Sequence, residues 1–293
     1  MLSMKPIFFF LLLSLIFWST SAQTDKLNIV VIGAHPDDPD VVAGGTAIKF
    51  SRLGHNVLFV SVTNGDAGHF KHGGGVLAKI RTAEAQEAGR RFGVTYKVLD
   101  NHDGELMPVL NVRLQIIRLI REWNADVVIG PRPYDYHPDH RNTAILVQDA
   151  AYMVIVPNVA PDTPPLKKNP VFLYVQDRFK KPYPFEPDIA IDISDVVDEK
   201  IYGVSAHHSQ FFEWSPWLSG NLESLPETEQ GRLEMLKSRW ARPVNQDVRQ
   251  SLVKWYGKEK GEKVKFAEAF EICEYGRIPD EKEIRRLFPL FSE

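Results

Sequence analysis

The run Leu27-Asn-Ile-Val-Val-Ile-Gly33, followed directly by Ala34-His35-Pro36-Asp37-Asp38, decides how the rest of the chain reads. A short, continuous apolar run bounded by a turn reads as a strand buried on both faces. Such strands belong to parallel sheets whose faces are covered by helices. Outward from this run the same rhythm repeats. Val41 to Leu53 has helical spacing, Asn56 to Thr63 reads as a second strand, and Val76 to Phe92 as a helix stopped at Gly93. Thr95 to Leu99 is a strand, Val109 to Trp123 a helix, and Asp126 to Gly130 a further buried strand. The expected fold class is α/β, a Rossmann-like three-layer sandwich with a mainly parallel sheet. C-terminal helices are expected at Asp195 to Ala206, capped by Ser194 or Asp195, and once or twice between Glu227 and Tyr256. Val264 to Cys273 alternates loosely as a late strand. The Pro- and Lys-rich stretch Val156 to Pro187 reads as an irregular excursion around a strand at Val171 to Val175.

Met1 to Ala22 has the layout of a secretory signal: Lys5, then the apolar run Ile7 to Trp18, then the small residues Ser19-Thr-Ser-Ala22. The apolar run is shorter than the roughly 20 residues a membrane-spanning helix needs. The expectation is cleavage, a secreted or periplasmic protein without a membrane span, and a single domain over residues 23–293 that ends in a helical extension. A net charge of −3 argues against a nucleic-acid partner. Cys273, the one cysteine, leaves no disulfide within the chain and reads as a buried thiol.

In open parallel sheets the ligand sits beyond the carboxyl ends of the strands, so residues just after strands are the ones to inspect. His35, Asp37 and Asp38 crowd one turn at such a place. An imidazole and two carboxylates so close together would repel or compete unless a cation joins them. A plain Pro/Asp turn explains the fragment equally well on its own. A second cluster, Tyr134-Asp-Tyr-His137-Pro-Asp139-His140, follows the strand ending at Gly130, and His140 precedes a helical pattern from near Asn142. Two clusters at equivalent strand ends favour a metal site. Zn2+ suits His and carboxylate donors, and Fe, Co or Mn would also be accepted. No glycine fingerprint for a dinucleotide follows the first strand.

Ala34-His35-Pro36-Asp37-Asp38 together with His137-Pro138-Asp139-His140 resembles the PIG-L or LmbE-like family of zinc-dependent N-deacetylases. The resemblance extends through Thr63-Asn-Gly-Asp66, Arg81-Thr-Ala-Glu84, Asp103-Gly-Glu-Leu106 and Ala206-His207-His-Ser-Gln210. It implies a Rossmann-like fold and hydrolysis of an acetamide on an amino sugar such as N-acetylglucosamine. It also implies His35, Asp38 and His140 as zinc ligands and Asp37 as the general base acting on water at the metal. His137 would stabilise the oxyanion or protonate the departing amine, with Asp139 orienting it. The chain departs from many members by carrying Pro39 and then Asp40 where Glu follows the two aspartates. This bears on the hydrogen bonds around the ligands, which Asp40 is expected to supply.

Further matched positions carry competing readings. Arg81 is a substrate contact or a helix-surface partner of Glu84. Asp103 binds sugar hydroxyls or merely opens the turn at Gly104. His207 is expected to line the pocket. Phe211, Phe212, Trp214 and Trp217 form a sugar platform or, as is commoner for clustered aromatics, anchor a loop on the core. A zinc amidase for a larger amide, and a carbohydrate-binding protein without turnover, are the other functions this pattern admits. Oligomeric state is open.

Overall fold

A computed structural model describes residues 26–292; the expected signal sequence lies outside the described residues. The sheet is built from β1 (Asn28–Gly33), β2 (Asn56–Ser61), β3 (Thr95–Val98), β4 (Val127–Gly130), β5 (Val171–Val175), β6 (Ile189–Asp192) and β7 (Ala267–Ile272), in the order β3-β2-β1-β4-β5-β7-β6. The first five strands pair in parallel. β7 runs antiparallel to both β5 and β6. The fold class is the expected one, and the late strand sits inside the sheet between β5 and β6. β6, which carries no turn punctuation of its own, was not anticipated.

The helices α1 (Asp38–Arg52), α2 (Gly74–Phe92), α3 (Leu110–Glu122) and α4 (Pro138–Met153) connect the parallel strands. After β6 come α5 (Val197–Val204), α6 (Ser215–Leu218), α7 (Glu229–Trp240), α8 (Gln246–Tyr256), α9 (Lys258–Gly261) and α10 (Glu281–Leu287). Along β1 the period-two alternation of a pleated strand divides the core. Ile29 and Val31 pack towards residues of α1, α2 and α5, whereas Val30 and Ile32 pack towards α3 and α4. Helices therefore cover both faces, with those of the C-terminal region extending the first of these two cores. Cys273 is buried, as expected. Among the described residues no helix is long and apolar enough to cross a membrane.

Two helix starts differ from expectation. α4 begins at Pro138, whose fixed φ and missing N–H suit the first helical position, so His140 lies within the first turn and not ahead of it. α5 begins later than Asp195, with Val196 at its cap and no side-chain capping bond there. Ser194 instead takes the backbone N–H groups of Lys265 and Phe266, tying the region to β7. Because β2 and β4 flank β1, the chain order reverses between β1 and β4, and a crevice opens beyond the ends of those two strands.

Candidate active site

The turn after β1 is tight because Gly33 has no Cβ; one added there would lie 2.4 Å from the Asp38 Cβ and 2.7 Å from the Pro39 Cδ. Asp37 follows at φ 136°, a conformation that costs a non-glycine residue of order 1–3 kcal/mol. It occupies the cap position of α1, yet its side chain makes no capping bond, which leaves the carboxylate for other work. Asp38 is held from behind: its Oδ2 accepts from the backbone N–H of Ala34 at 2.9 Å and of His35 at 2.8 Å.

Across the crevice, the first turn of α4 brings His140 to these groups. His140 Nε2 is 3.2 Å from His35 Nδ1 and 3.4 Å from Asp38 Oδ2, and His35 Nδ1 is 3.5 Å from Asp38 Oδ2. Donors about 2.0–2.2 Å from one tetrahedral metal are separated by about 3.3–3.6 Å, so this triangle fits a metal held by His35, Asp38 and His140. His137 forms a second candidate donor set with His35 and His140, and His35 forms another with Asp103 and Asp139, the ligand atoms of each lying within 4.8 Å of one another. The latter set is better understood as support for a ligand. With Nδ1 turned to the triangle, His35 Nε2 lies 3.1 Å from Asp103 and 3.3 Å from Asp139. A carboxylate behind a ligating imidazole fixes its tautomer and raises its basicity. His140 is backed in the same way, its Nδ1 3.0 Å from Asp135.

The charges agree with this division. Burial would lower the His35 pKa, but Asp103, Asp139 and Asp38 together raise it well above the usual value. Burial likewise opposes protonation of His140, and Asp38 and Asp135 raise its pKa nonetheless. Burial would raise the pKa of Asp38, yet the two imidazoles hold it well below the carboxylate range. The cluster is a place that favours positive charge. Asp37 behaves differently: burial first, then the neighbouring Asp38, pushes it up to about 7, against Arg81, His207 and His35. Burial, then His35 and His140, lowers the pKa of His137. Its Nδ1 accepts the backbone N–H of Asp139 at 3.2 Å, which in the neutral ring assigns the proton to Nε2.

Several expected roles change in this geometry. Asp139 meets His137 through its backbone N–H only; its carboxylate serves His35 and the backbone N–H groups of Gly104 and Leu106. Asp103, expected at sugar hydroxyls, has one oxygen on His35, while its other oxygen lies beside Gly68. His207 does not line the pocket. It is wholly buried, with Nε2 2.9 Å from Asp40, and Asp40 accepts the Tyr96 hydroxyl at 2.8 Å. That hydroxyl accepts the backbone N–H of Asp37 at 3.1 Å. Asp40 thus supports the backbone at Asp37, through the Tyr96 hydroxyl, and not a ligand.

Arg81 is buried and is no surface partner of Glu84, whose carboxylate instead holds the N–H and hydroxyl of Ser209. Arg81 Nη2 donates to the Gly68 carbonyl and to Gln210, while its Nε and Nη1 are buried without a hydrogen-bond partner. Gln210 lies in a π-helical turn, Ser209–Trp214, a form often found at functional sites. The aromatic run divides: Phe211 and Phe212 belong to the core, Trp214 is half-buried and Trp217 is exposed. Sequence reasoning gave no role to Asp135 or to Asp66. Asp66 accepts the backbone N–H of Asp103 at 3.0 Å and pairs with His102, fixing the loop that carries Asp103. The only signal for Asp135 was an acid within the second motif.

The family pattern of PIG-L, GlcNAc-PI de-N-acetylase, matches residues 30–151, which span both motifs. Over 205 residues the chain is 31% identical to the diacetylchitobiose deacetylase of Thermococcus kodakarensis, covering 66% of this chain and 76% of that protein. The chain belongs to the PIG-L family. It is a deacetylase, a hydrolase of the kind its relatives are. The probable N-acetyl-alpha-D-glucosaminyl L-malate deacetylase 2 of Bacillus cereus is 29% identical over 194 residues, 62% of this chain and 83% of that one. Among solved structures, the N,N'-diacetylchitobiose deacetylase of Pyrococcus horikoshii superposes with a TM-score of 0.64 at 26% identity, covering 86% of this chain and 85% of that one. PIG-L deacetylases are metal-dependent, and the His35, Asp38, His140 triangle fits that requirement.

Proposed function

We propose that this PIG-L deacetylase is exported, holds zinc at His35, Asp38 and His140, and removes the acetyl group from an N-acetylglucosamine unit of a carbohydrate or glycoconjugate. The observation that carries this reading is the triangle of donor atoms 3.2–3.5 Å apart with Asp37 beside it. Two His and one carboxylate are a donor set that zinc commonly takes in catalytic sites, with the fourth position open. The substrate class rests on relatives that act on diacetylchitobiose and on N-acetylglucosaminyl malate. Export rests on the layout of residues 1–22.

The metal, when bound, lowers the pKa of water towards ~7 and polarises the amide carbonyl. Asp37, with its pKa about 7, takes a proton from the water that attacks the carbonyl carbon. His137 turns its Nε2–H to the carbonyl oxygen as negative charge gathers there. As the C–N bond breaks, the protonated Asp37 passes the proton it took from water to the departing amine, and acetate and the free amino sugar remain. Arg81, buried behind Asp37 and Asp103, acts on the site through its positive charge.

The test is acetate release from N-acetylglucosamine and its oligosaccharides by the mature chain, with zinc-loaded and chelated samples run in parallel. Metal-dependent acetate is the expected result. Equal activity after chelation, or a His140→Ala variant that keeps its metal and its rate, overturns the site assignment.

A further inference from the structure

We propose that Trp214, Trp217 and Phe70 form a track for further sugar units of an oligosaccharide whose N-acetylated unit lies at the metal cluster. This rests on the reading that the substrate carries an N-acetylated sugar. The three rings are stacked with nearly parallel planes: Trp214 and Trp217 are 5.3 Å apart at 17°, and Trp217 and Phe70 are 5.2 Å apart at 12°. Offset stacking of this kind leaves part of each ring open, and Phe70 and Trp217 keep 40% and 45% of their surface exposed.

The inner end of this strip belongs to the active site. A Cβ added at Gly68 would lie 3.2 Å from Arg81 Nη2, 3.2 Å from Asp103 Oδ2 and 3.7 Å from Trp214 Nε1. One corner therefore gathers a guanidinium, a carboxylate oxygen and an indole nitrogen, and the Asp103 carboxylate also touches the ligand His35. From there the strip leads outward to solvent. It is held rigid, since His69 stacks on Phe70 at 4.6 Å and its Nε2 meets Glu213, in the π-helical turn, at 2.9 Å. A pyranose has an apolar C–H face and a rim of hydroxyls. The exposed ring surface of Phe70 and Trp217, leading from a corner of polar groups, matches both features, and its continuity with the site favours the remainder of the substrate as occupant over a lipid surface or a second copy of this chain.

Trp217→Ala and Phe70→Ala test this, because neither residue touches the metal cluster. In wild-type protein the KM for an N-acetylglucosamine tetrasaccharide is expected below that for the monosaccharide. Each variant is expected to raise the tetrasaccharide KM about tenfold, the scale of one lost ring contact, with kcat and monosaccharide turnover unchanged. Equal KM values for the tetrasaccharide in wild type and variants, or equal losses on both sugars, overturn the track. So does a variant that changes only vesicle co-sedimentation or oligomeric mass. Calorimetric titration of the tetrasaccharide decides the matter independently of turnover: weaker binding by Trp217→Ala supports the track, and binding unchanged or absent in wild type overturns it. Acetate released from neither sugar would instead remove the underlying substrate reading.

Discussion

Two buried charge clusters lie at α1, and they differ in kind. Beneath the helix, Lys200 and Glu268 are matched: Nζ is 2.8 Å from Oε1 and donates to the Val41 carbonyl at 2.9 Å. Glu268 also accepts the backbone N–H groups of Gly45 at 2.9 Å and Thr46 at 2.7 Å. This locks α1 to α5 and β7. At the start of the same helix the charges are left in conflict. Asp37 and Asp38 adjoin, Asp37 is at positive φ with its pKa pushed up to about 7, and two N–H groups of Arg81 lack partners. A satisfied cluster serves stability, whereas an unsatisfied one is completed by what binds there.

The contrast is most sharply exposed by Asp37→Asn. It is expected to lower kcat by about 10²–10⁴-fold, the usual worth of a general base, while the urea midpoint stays level or rises because a repulsion with Asp38 has gone. A fall in stability matching the fall in activity would erase the distinction. Lys200→Met should do the reverse, costing about 3–5 kcal/mol in urea unfolding by stranding the Glu268 charge, with metal still bound by the folded fraction. Adding Glu268→Gln should restore part of that loss. Asp135→Asn leaves the fold untouched and weakens metal affinity by about 10–100-fold in a chelator competition, since it backs His140.

The smallest effect concerns a surface cluster. Arg286 first, then Lys168 and Arg277, lowers Glu283 from its usual 4.5 to about 2. Its folded pKa is depressed, so its contribution is complete above about 4.5 and is lost as pH falls towards about 2. Solvent screening keeps that contribution small. Unfolding midpoints of wild type and Glu283→Gln should therefore differ slightly at pH 6 and converge near pH 2.

The strand ends were legible because a parallel strand buried on both faces is a continuous apolar run, and both motifs follow such runs directly. His35, Asp38 and His140 came from that placement and from the resemblance together, and the structure brings their donor atoms to one point. β6 is not legible because its four residues, Ile189–Asp192, are too few to show a periodicity. His207 reads from the sequence as a pocket residue because its motif gives a position in the chain but not a depth. It lies behind Asp40 and Tyr96, buried by the packing of α5 against α1 and α2.

By itself the sequence determined the α/β order and the residue types at two strand ends, since hydrophobic periodicity and turn chemistry are local. Only the tertiary structure decided which carboxylate serves which imidazole. Each histidine offers two nitrogens on opposite edges of its ring. Whether Asp139 orients His137 or His35, and whether Asp103 meets sugar or His35, depends on how β3, β4 and α4 are brought together, and no spacing along the chain encodes that approach.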